Sequence, residues 1–201
     1  MNKIGVMQGR LLPKLNNRFQ AHPTNYWQDE FIISAELGLD CIEFILDYDS
    51  IEENPLIKRN GISEILSIIK DTNPSLIIFD QIDKIRGFKN DRYDLELKKL
   101  YQWAREMAKI YAPVIAVSQA GGTGEGKVWL TMDDVDSSKT AKQGEADWIL
   151  GIGKEQDNTS NMRYLNISKN KLLGDEDTLP DLRHGNQQVM IKPNIARYEE
   201  L

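Results

Sequence analysis

The chain has 201 residues, of which 40% are hydrophobic and 28% are charged, so it is long enough to form a hydrophobic core without disulfides or a structural metal. Its single cysteine, Cys41, excludes an internal disulfide and a zinc site built from several cysteines, and the 2 histidines are too few for a histidine-rich metal site. The net charge of -6 disfavours nonspecific binding to nucleic-acid phosphates, so any such contact must be local.

The hydropathy of the chain is that of a water-soluble protein. Its mean hydropathy is -0.49, and no apolar run approaches the roughly 20 residues that a membrane helix needs. The apolar stretch after Lys3 is interrupted by Gln8 and Arg10, which excludes a signal peptide. We therefore expect a cytoplasmic protein without a membrane partner.

The N-terminal part alternates between strand-like and helix-like segments. The predicted elements are a strand over residues 3–7, a helix over 26–37 that ends at Gly38, a strand over 40–45 and a helix over 63–70. This β-α-β-α order is the repeating unit of parallel sheets. A turn at residues 71–74 separates this part from the rest of the chain.

The second part continues the alternation with more strongly apolar strands. The apolar run at residues 76–79 is typical of a strand buried on both faces, and it ends on Asp80. A helix over 94–111 has an apolar face that consists of Leu97, Leu100, Tyr101, Ala104, Met107 and Ala108. Strands over 114–117, 148–152 and 162–167, an edge strand over 185–192 and a fraying tail over 194–201 follow. Together these elements predict an α/β fold with a mostly parallel sheet and flanking helices.

Two polar residues follow predicted buried strands, at places where chemistry is expected. Ligands of open α/β sheets bind at the carboxyl ends of the strands. Asp80 at such an end is suited to hold Mg²⁺ through water, and Gln119 is suited to sense the γ-phosphate of a nucleotide. Each residue also has an ordinary interpretation, Asp80 as a helix cap and Gln119 as a solvent-facing side chain.

A glycine-rich segment, residues 121–127, fits the first seven positions of a phosphate-binding P-loop. Val128 stands where a P-loop has Ser or Thr, and the residues after it do not clearly open a helix whose N-terminus would hold phosphate. The segment also follows Asp80, whereas a P-loop precedes the strand that ends in this carboxylate. We therefore do not interpret it as a P-loop, and residues 1–75 contain none.

Four segments occur in a characteristic order, and they are LIIFD at 76–80, VIAVSQ at 114–119, SSKTAKQGEADWI at 137–149 and LNISKNK at 165–171. With them, residues 75–201 resemble the C-terminal RecA-like ATPase part of DnaB-type replicative DNA helicases, particularly those of phages. The resemblance implies an ATP-driven, hexameric DNA motor in the cytoplasm of a bacterial host. Because the P-loop is absent, we expect no autonomous ATPase activity from this chain.

The resemblance also implies roles for single residues. Asp80 is the carboxylate on the Mg²⁺ side, Gln119 is the γ-phosphate sensor, and Lys169 and Lys171 are the basic pair that reaches the ATP of a neighbouring subunit. The family often has Arg at the position of Lys171, and Lys is less suited to bidentate phosphate contact. The alternative for both lysines is a solvated strand edge.

Partners and cofactors follow from the same resemblance. Residues 121–135 correspond to the mobile pore loop, and the implied contacts to single-stranded DNA are Lys127, Lys139 and Lys142. The implied cofactors are ATP and Mg²⁺. The implied protein partners are further copies of the chain or intact helicase subunits in a hexamer.

Residues 1–70 have a different resemblance, carried by IGVMQGRL at 4–11, WQDEF at 27–31 and AELGLDCIEF at 35–44. They resemble the opening of the xylose-isomerase-like TIM barrel of sugar phosphate isomerases and epimerases. This implies that Gln8, Arg10 and Glu43 face a sugar substrate at the mouth of the barrel. Glu43 is alternatively a surface acid, and a quarter of a barrel lacks the later strands that carry most metal ligands.

The predicted organisation is thus a chimera, with a TIM-barrel-like βαβα piece at residues 1–72 and a RecA-like helicase piece at residues 73–201. The origin of such a chimera stays open between a natural gene fusion, a misassembled gene and an engineered chimera. It also stays open whether the strands of both pieces pair in one sheet. Three functions follow as alternatives: a helicase part, a sugar phosphate isomerase, and a non-catalytic module that docks onto a helicase through Lys169 and Lys171.

Overall fold

The computed structural model describes residues 4–19, 21–47, 50–58, 60–86, 88, 92–136, 139–157, 159–172, 184–195 and 197–201. The chain divides into two compact units, each assembled from several segments. Unit 1 comprises Met1–Ile77, Lys84–Asp91 and Met107–Ile115, and unit 2 comprises Ile78–Asp83, Arg92–Glu106 and Ala116–Leu201. The domain boundary predicted between residues 72 and 73 stays a prediction.

Unit 1 begins with the predicted β-α-β-α order. Strand β1 (Gly5–Met7) is followed by helix α1 (Asp29–Glu36), strand β2 (Cys41–Glu43) and helix α2 (Gly61–Thr72). The two strands pair in parallel. Helix α1 begins three residues later than predicted, because turns occupy residues 24–28. Gly38 follows its C-terminus with a positive φ of 70°, as expected of a helix-ending glycine.

Aromatic side chains from unit 1 form much of its core. Trp27 is 1% exposed and meets Phe44 edge-on, with ring centroids 5.2 Å apart. Phe31 of α1 and the imidazole of His22 lie against the same two rings. Edge-on contacts are favourable because the positive edge of one ring meets the negative face of the other. These contacts attach α1 and the preceding loop to β2.

A second small sheet joins β3 (Ile77–Phe79) to β4 (Val114–Ala116). The amide of Ile77 donates to the carbonyl of Pro113 at 3.0 Å, and the amide of Val117 donates to the carbonyl of Phe79 at 2.9 Å. These bonds advance in the same direction along both strands, as in a parallel pair. The prediction that β3 is buried on both faces is wrong, since Ile78 is 59% exposed and alternate side chains of a strand point to opposite faces.

Helix α3 (Tyr93–Ile110) connects these strands along the chain and has the predicted apolar face. Its buried residues are Leu97, Leu100, Tyr101, Ala104 and Met107. Ala108, predicted on the same face, is exposed. Near the C-terminus the buried stripe follows positions 100, 104 and 107, which lie four and three residues apart, as one face of an α-helix does.

The C-terminal part of unit 2 is a four-stranded sheet in the order β5-β6-β7-β8. After helix α4 (Lys139–Glu145) come β5 (Trp148–Gly153), β6 (Met162–Asn170), β7 (Asn186–Lys192) and β8 (Arg197–Glu200). All three pairings are antiparallel, so the predicted mostly parallel sheet is wrong here. The connection between β5 and β6 is too short for the crossover that parallel neighbours need, which is a dozen or more residues.

Two further predictions about this sheet are corrected. The tail over residues 194–201 does not fray throughout, because β8 pairs with β7 and satisfies the hydrogen-bonding groups of its outer edge. Strand β7 is therefore an interior strand and not the predicted edge strand.

The TIM-barrel part of the predicted fold class finds no support. In the described part of the chain, β1 and β2 pair only with each other, whereas a barrel closes by pairing every strand with two neighbours. Every helix among the described residues is too short or too polar to cross a membrane.

Candidate functional site

The carboxyl ends of the paired strands β3 and β4 carry the two residues predicted to face a nucleotide. Asp80 follows β3 directly, Gln119 follows β4 by three residues, and both are exposed. The amide of Ile82 donates to the carbonyl of Val117 at 3.2 Å, which ties the turn after Asp80 to the end of β4. The structure therefore brings Asp80 and Gln119 to the same edge of one small sheet, and their roles stay predictions.

A buried ion-pair network lies next to these residues in sequence. Lys142 of α4 is 3% exposed, and its ammonium lies 2.9 Å from each carboxylate oxygen of Asp83. The Ser118 hydroxyl donates to Asp83 at 2.6 Å and accepts from Lys142 at 2.9 Å. The Tyr101 hydroxyl donates to the other oxygen of Asp83 at 3.0 Å. Asp83 is thus the acceptor that joins α3, α4 and the end of β4.

This network has a structural role. Burial, followed by the nearby Asp83 carboxylate, raises the pKa of Tyr101 far above its ordinary value, so its phenol stays neutral and donates. The Ser118 hydroxyl donates to the Asp83 carboxylate and accepts from the Lys142 ammonium, so the buried polar groups of the network satisfy one another. The network therefore holds the strand ends in position.

This placement corrects one predicted DNA contact. Lys142 is enclosed by Asp83, Ser118 and the ring of Tyr101, whose centroid lies 5.3 Å from the ammonium. A phosphate cannot reach a side chain that is 3% exposed without breaking this pair. The side chain of Lys139, a second predicted DNA contact, lies outside the described residues.

The predicted pore loop, residues 121–135, is closed on itself by hydrogen bonds. The amide of Gly121 donates to the carbonyl of Asp134 at 2.7 Å. The side chain of Asp134 is buried and accepts from the Lys127 ammonium at 2.8 Å and from the amide and hydroxyl of Thr131 at 2.8 and 2.9 Å. Burial opposes ionisation of Asp134, but these donors prevail and lower its pKa to about 2.

The same loop does not fit a phosphate cradle. Gly122–Gly124 forms a 3₁₀ turn that ends in extended backbone at Glu125, so no helix N-terminus faces an anion there. Lys127, the lysine of the P-loop-like pattern, pairs with Asp134. The described residues also contain no group of three or more His, Cys, Asp or Glu side chains that would hold a metal ion.

Lys127 keeps its status as a predicted DNA contact. Its side chain is 48% exposed, although its ammonium is paired with Asp134. A DNA phosphate would have to compete with this buried carboxylate for the ammonium. Any contact through Lys127 is therefore expected to be weak.

Glycine allows the loop to lie close against β5. A Cβ atom at Gly153 would overlap the carbonyl oxygen of Val128. Nearby, the side-chain amide of Asn166 donates to the carbonyl of Leu130, and Trp129 meets Tyr164 edge-on at 5.1 Å between centroids. The middle of the loop is thus attached to β5 and β6.

Replacing Gly153 with Ala is expected to lower the free energy of unfolding by about 1–3 kcal/mol, because a backbone carbonyl cannot move aside without shifting the loop. Gly144→Ala is the matched control, since a Cβ atom there meets nothing within 4 Å and alanine favours the helix. Urea unfolding followed by circular dichroism measures both. Equal effects of the two variants would contradict this account of the loop.

A cluster of cations surrounds Asp147, and its members are Arg105, Lys169 and Lys171. Nη1 of Arg105 lies 2.5 Å from Oδ2 of Asp147. The amide of Lys171 donates to the carbonyl of Asp147 at 2.8 Å. The ammonium of Lys169 donates to the carbonyl of Gln143. The predicted basic pair therefore lies together, at the C-terminal end of β6, and α3 adds a third cation.

The pKa values report the mutual influence of these groups. The hydrogen bond from Arg105 lowers the pKa of Asp147, against an opposing effect of burial. Burial, followed by repulsion from Lys171, lowers the pKa of Lys169. The hydrogen bond to Asp147 raises the pKa of Arg105, and the charges of Glu145 and Glu106 add to this. Lys169 and Lys171 are thus like charges held close together.

Sequence reasoning missed Asp83, Tyr101 and Arg105 as members of these clusters. Asp83 and Lys142 are 59 positions apart, and Arg105 and Asp147 are 42 positions apart. Within α3, Arg105 lies one helical turn after Tyr101, which was a signal that it shares a side of the helix with a core residue. No pattern in the chain indicated which carboxylate it meets.

Two of the residues predicted for a sugar substrate, Gln8 and Glu43, are neighbours at the ends of β1 and β2, where the backbone amide of Gln8 donates to the carbonyl of Glu43 at 2.9 Å. Gln8 is fully buried, and its Oε1 accepts from the amide of Ile45 at 3.0 Å and lies 3.2 Å from Nδ1 of His22. Arg10 and Glu43 are exposed. Gln8 therefore serves the interior of unit 1, where burial lowers the pKa of His22 from 6.5 to about 4.

No protein-family model matches this sequence, and no curated protein matches it either. Two solved structures cover the whole chain at 13% sequence identity, each with a TM-score of 0.61. One is an isolated ATPase domain, of which 75% is covered. The other is a DnaB-like replicative helicase described with its interactions with primase, and the chain spans 52% of its length. The likeness shows that the chain shares a mixed α/β fold with these two structures.

Proposed function

We propose that this chain is the C-terminal part of a helicase-like ATPase, which takes part in ATP-driven DNA unwinding only with subunits that supply a phosphate-binding loop. The observation that carries the proposal is the position of Asp80 and Gln119 at the carboxyl ends of two paired strands. Ligands of open α/β sheets bind at this edge. The similarity to the ATPase domains of DnaB-like helicases supports the same assignment.

In this proposal the chain contributes cations to an ATP site on a neighbouring subunit. Its own glycine-rich loop lacks a phosphate cradle. Lys169 and Lys171 lie together at the end of β6, where two ammonium groups would neutralise negative charge that develops on a transferred phosphoryl group. Hydrolysis then requires assembly, and the proposed assembly is a hexameric ring of helicase subunits.

DNA contact is a weaker part of the proposal. Lys127 is half exposed and remains the proposed phosphate contact, while the net charge of -6 opposes binding elsewhere on the surface. Contacts to phosphate release counterions, so affinity falls as salt concentration rises. We expect weak, salt-sensitive binding of single-stranded DNA.

The test combines hydrolysis with assembly. We expect the pure chain to release no phosphate from millimolar MgATP above background, with or without single-stranded DNA. With an intact DnaB-type helicase, we expect it to co-elute in gel filtration. The Lys169→Ala/Lys171→Ala double variant should lose co-elution, because it lacks the proposed contact to the neighbouring nucleotide.

The matched control is Lys98→Ala/Lys99→Ala, which removes the same charge from exposed positions of α3. This control is expected to co-elute like the unaltered chain. Rapid DNA-stimulated hydrolysis by the pure chain would refute the absence of its own phosphate site. Co-elution that survives loss of both Lys169 and Lys171 would refute their role at the interface.

A second candidate is a non-catalytic module that binds to a helicase. Strand β5 favours it, because Trp148, Leu150 and Ile152 on one face are 43%, 38% and 48% exposed. Contiguous exposed apolar surface marks sites of protein contact. Co-elution without any change in the hydrolysis rate of the partner helicase would favour this candidate over the first. The isomerase alternative is not proposed, since Gln8 is used by the interior of unit 1.

A further inference from the structure

We infer that Arg105, Lys169 and Lys171 form one phosphate-binding site whose built-in counterion is the Asp147 carboxylate, which an incoming phosphate displaces from Arg105. The inference rests on the proposed function in so far as Lys169 and Lys171 are its cations. It adds Arg105 as a ligand and Asp147 as a competitor. Phosphate binding by the isolated chain tests it without a partner subunit.

Arg105 is held in a way that leaves it able to take a second acceptor. Only Nη1 is engaged among the described residues, with Asp147 at 2.5 Å and the carbonyl of Glu145 at 3.0 Å. The side chains of Arg105 and Asp147 are 31% and 42% exposed, so solvent reaches the pair. A guanidinium has five N–H donors in a planar fork, and most of the fork of Arg105 therefore remains available.

Three cations lie close to the Asp147 carboxylate. Among the described residues, the ion pair of Asp147 is with Arg105. Lys169 and Lys171 repel each other, and the ammonium of Lys169 is left with the neutral carbonyl of Gln143. A further anion between these groups would relieve the repulsion.

Phosphate suits this arrangement better than a carboxylate does. A terminal phosphate carries about two negative charges at neutral pH and three acceptor oxygens. Its oxygens can accept from the fork of Arg105 and from two ammonium groups at once. Glu106 and Glu145 lie near the guanidinium and oppose binding, so the affinity is expected to be modest. Nucleotides and the DNA backbone both offer phosphate.

The experiment titrates the full chain with inorganic tripolyphosphate by isothermal calorimetry at low salt. Saturable binding is expected. Asp147→Asn removes the competing carboxylate and is expected to tighten binding roughly fivefold, whereas Arg105→Gln is expected to weaken it roughly fivefold, as for loss of one partly exposed ion pair. Arg105→Lys keeps the charge but loses the fork, so an intermediate affinity is expected.

The matched control is Asp94→Asn, which changes the net charge equally and removes the carboxylate from Arg92, 2.7 Å away near the start of the same helix. It is expected to change the affinity less than roughly twofold, because that pair is not part of the cluster. An equal response to Asp94→Asn and Asp147→Asn would overturn the inference, since net charge alone would then explain binding. Absence of saturable binding in a folded Asp147→Asn protein, with folding confirmed by circular dichroism, would overturn it as well.

Two further titrations distinguish the sources of phosphate. If ATP responds to Asp147→Asn and a thymidine oligonucleotide does not, the site takes nucleotide phosphate. The reverse result assigns it to the DNA backbone. Failure of co-elution with a helicase alongside normal tripolyphosphate binding would sink the proposed function and leave this site in place.

Discussion

Lys142→Met is expected to lower the free energy of unfolding by about 3–5 kcal/mol, because it leaves the Asp83 carboxylate in the protein interior without a positive charge. The side chain of Asp83 is 15% exposed, so water solvates it poorly. The hydroxyls of Tyr101 and Ser118 still donate to it, but they carry no charge. Urea unfolding followed by circular dichroism at neutral pH measures the loss.

Two comparisons make this result specific to the buried pair. Lys192→Met removes an ammonium that lies 2.5 Å from Glu199 in a pair whose side chains are 45% and 44% exposed, and it is expected to cost about 0–1 kcal/mol. Adding Asp83→Asn to Lys142→Met removes both buried charges and is expected to restore part of the stability. If Lys142→Met costs no more than Lys192→Met, the pair does not stabilise unit 2.

The pair also bears on the proposed site. Asp83 lies three residues after Asp80, and Ser118 immediately precedes Gln119. Because Asp83 and Ser118 are hydrogen-bonded, the network holds the backbone near both proposed nucleotide-facing residues. Its loss should therefore loosen the edge of the sheet where a nucleotide is proposed to lie.

Acid is expected to remove about 3 kcal/mol of stability between pH 6.5 and pH 4 through His22, which is the free-energy equivalent of the shift in its pKa. Burial lowers the pKa of this imidazole from 6.5 in the unfolded chain to about 4 in the folded one. The unfolded state therefore binds the proton first as the pH falls. Stability is full above pH 6.5, declines towards pH 4, and loses nothing more from this group below that value.

His22→Gln is expected to reduce the dependence of the free energy of unfolding on pH between pH 6.5 and pH 4. This holds regardless of its effect on the free energy of unfolding at about pH 7. The matched control is His184→Gln, since His184 is exposed and its loss should leave the slope unchanged. Asp134 does not interfere, because its pKa is lowered from 3.8 to about 2 and its contribution is lost only below that window. An unchanged slope in His22→Gln would refute the role of His22.

Local sequence patterns predicted much of the secondary structure. The β-α-β-α order, the ending of α1 near Gly38 and the buried stripe from Leu97 to Met107 all agree with the structure. These features depend on neighbouring residues, namely on hydrophobic periodicity and on the backbone freedom of glycine. Strand direction was predicted wrongly for β5 to β8, because it depends on which strands pair.

Part of the candidate site was also predicted from the sequence. Asp80 and Gln119 were predicted from their positions after apolar strands, and Lys169 and Lys171 from the resemblance to helicases. The roles of all four stay predictions. The DNA contact of Lys142 was implied by the resemblance to helicases, which carried no information on the burial of this side chain. Its carboxylate partner lies far away along the chain, and this made the assignment wrong.

The sequence by itself determined where strands and helices form and which polar residues follow them, because those choices depend on side chains within a few positions of each other. Tertiary structure alone decided that Lys142 is buried, that Arg105 meets Asp147 and that the last four strands are antiparallel. Each of these depends on contacts between distant segments. The free energy of a charged side chain depends strongly on its burial and on the charges next to it. The roles of the lysines and acids therefore depended on the folded structure.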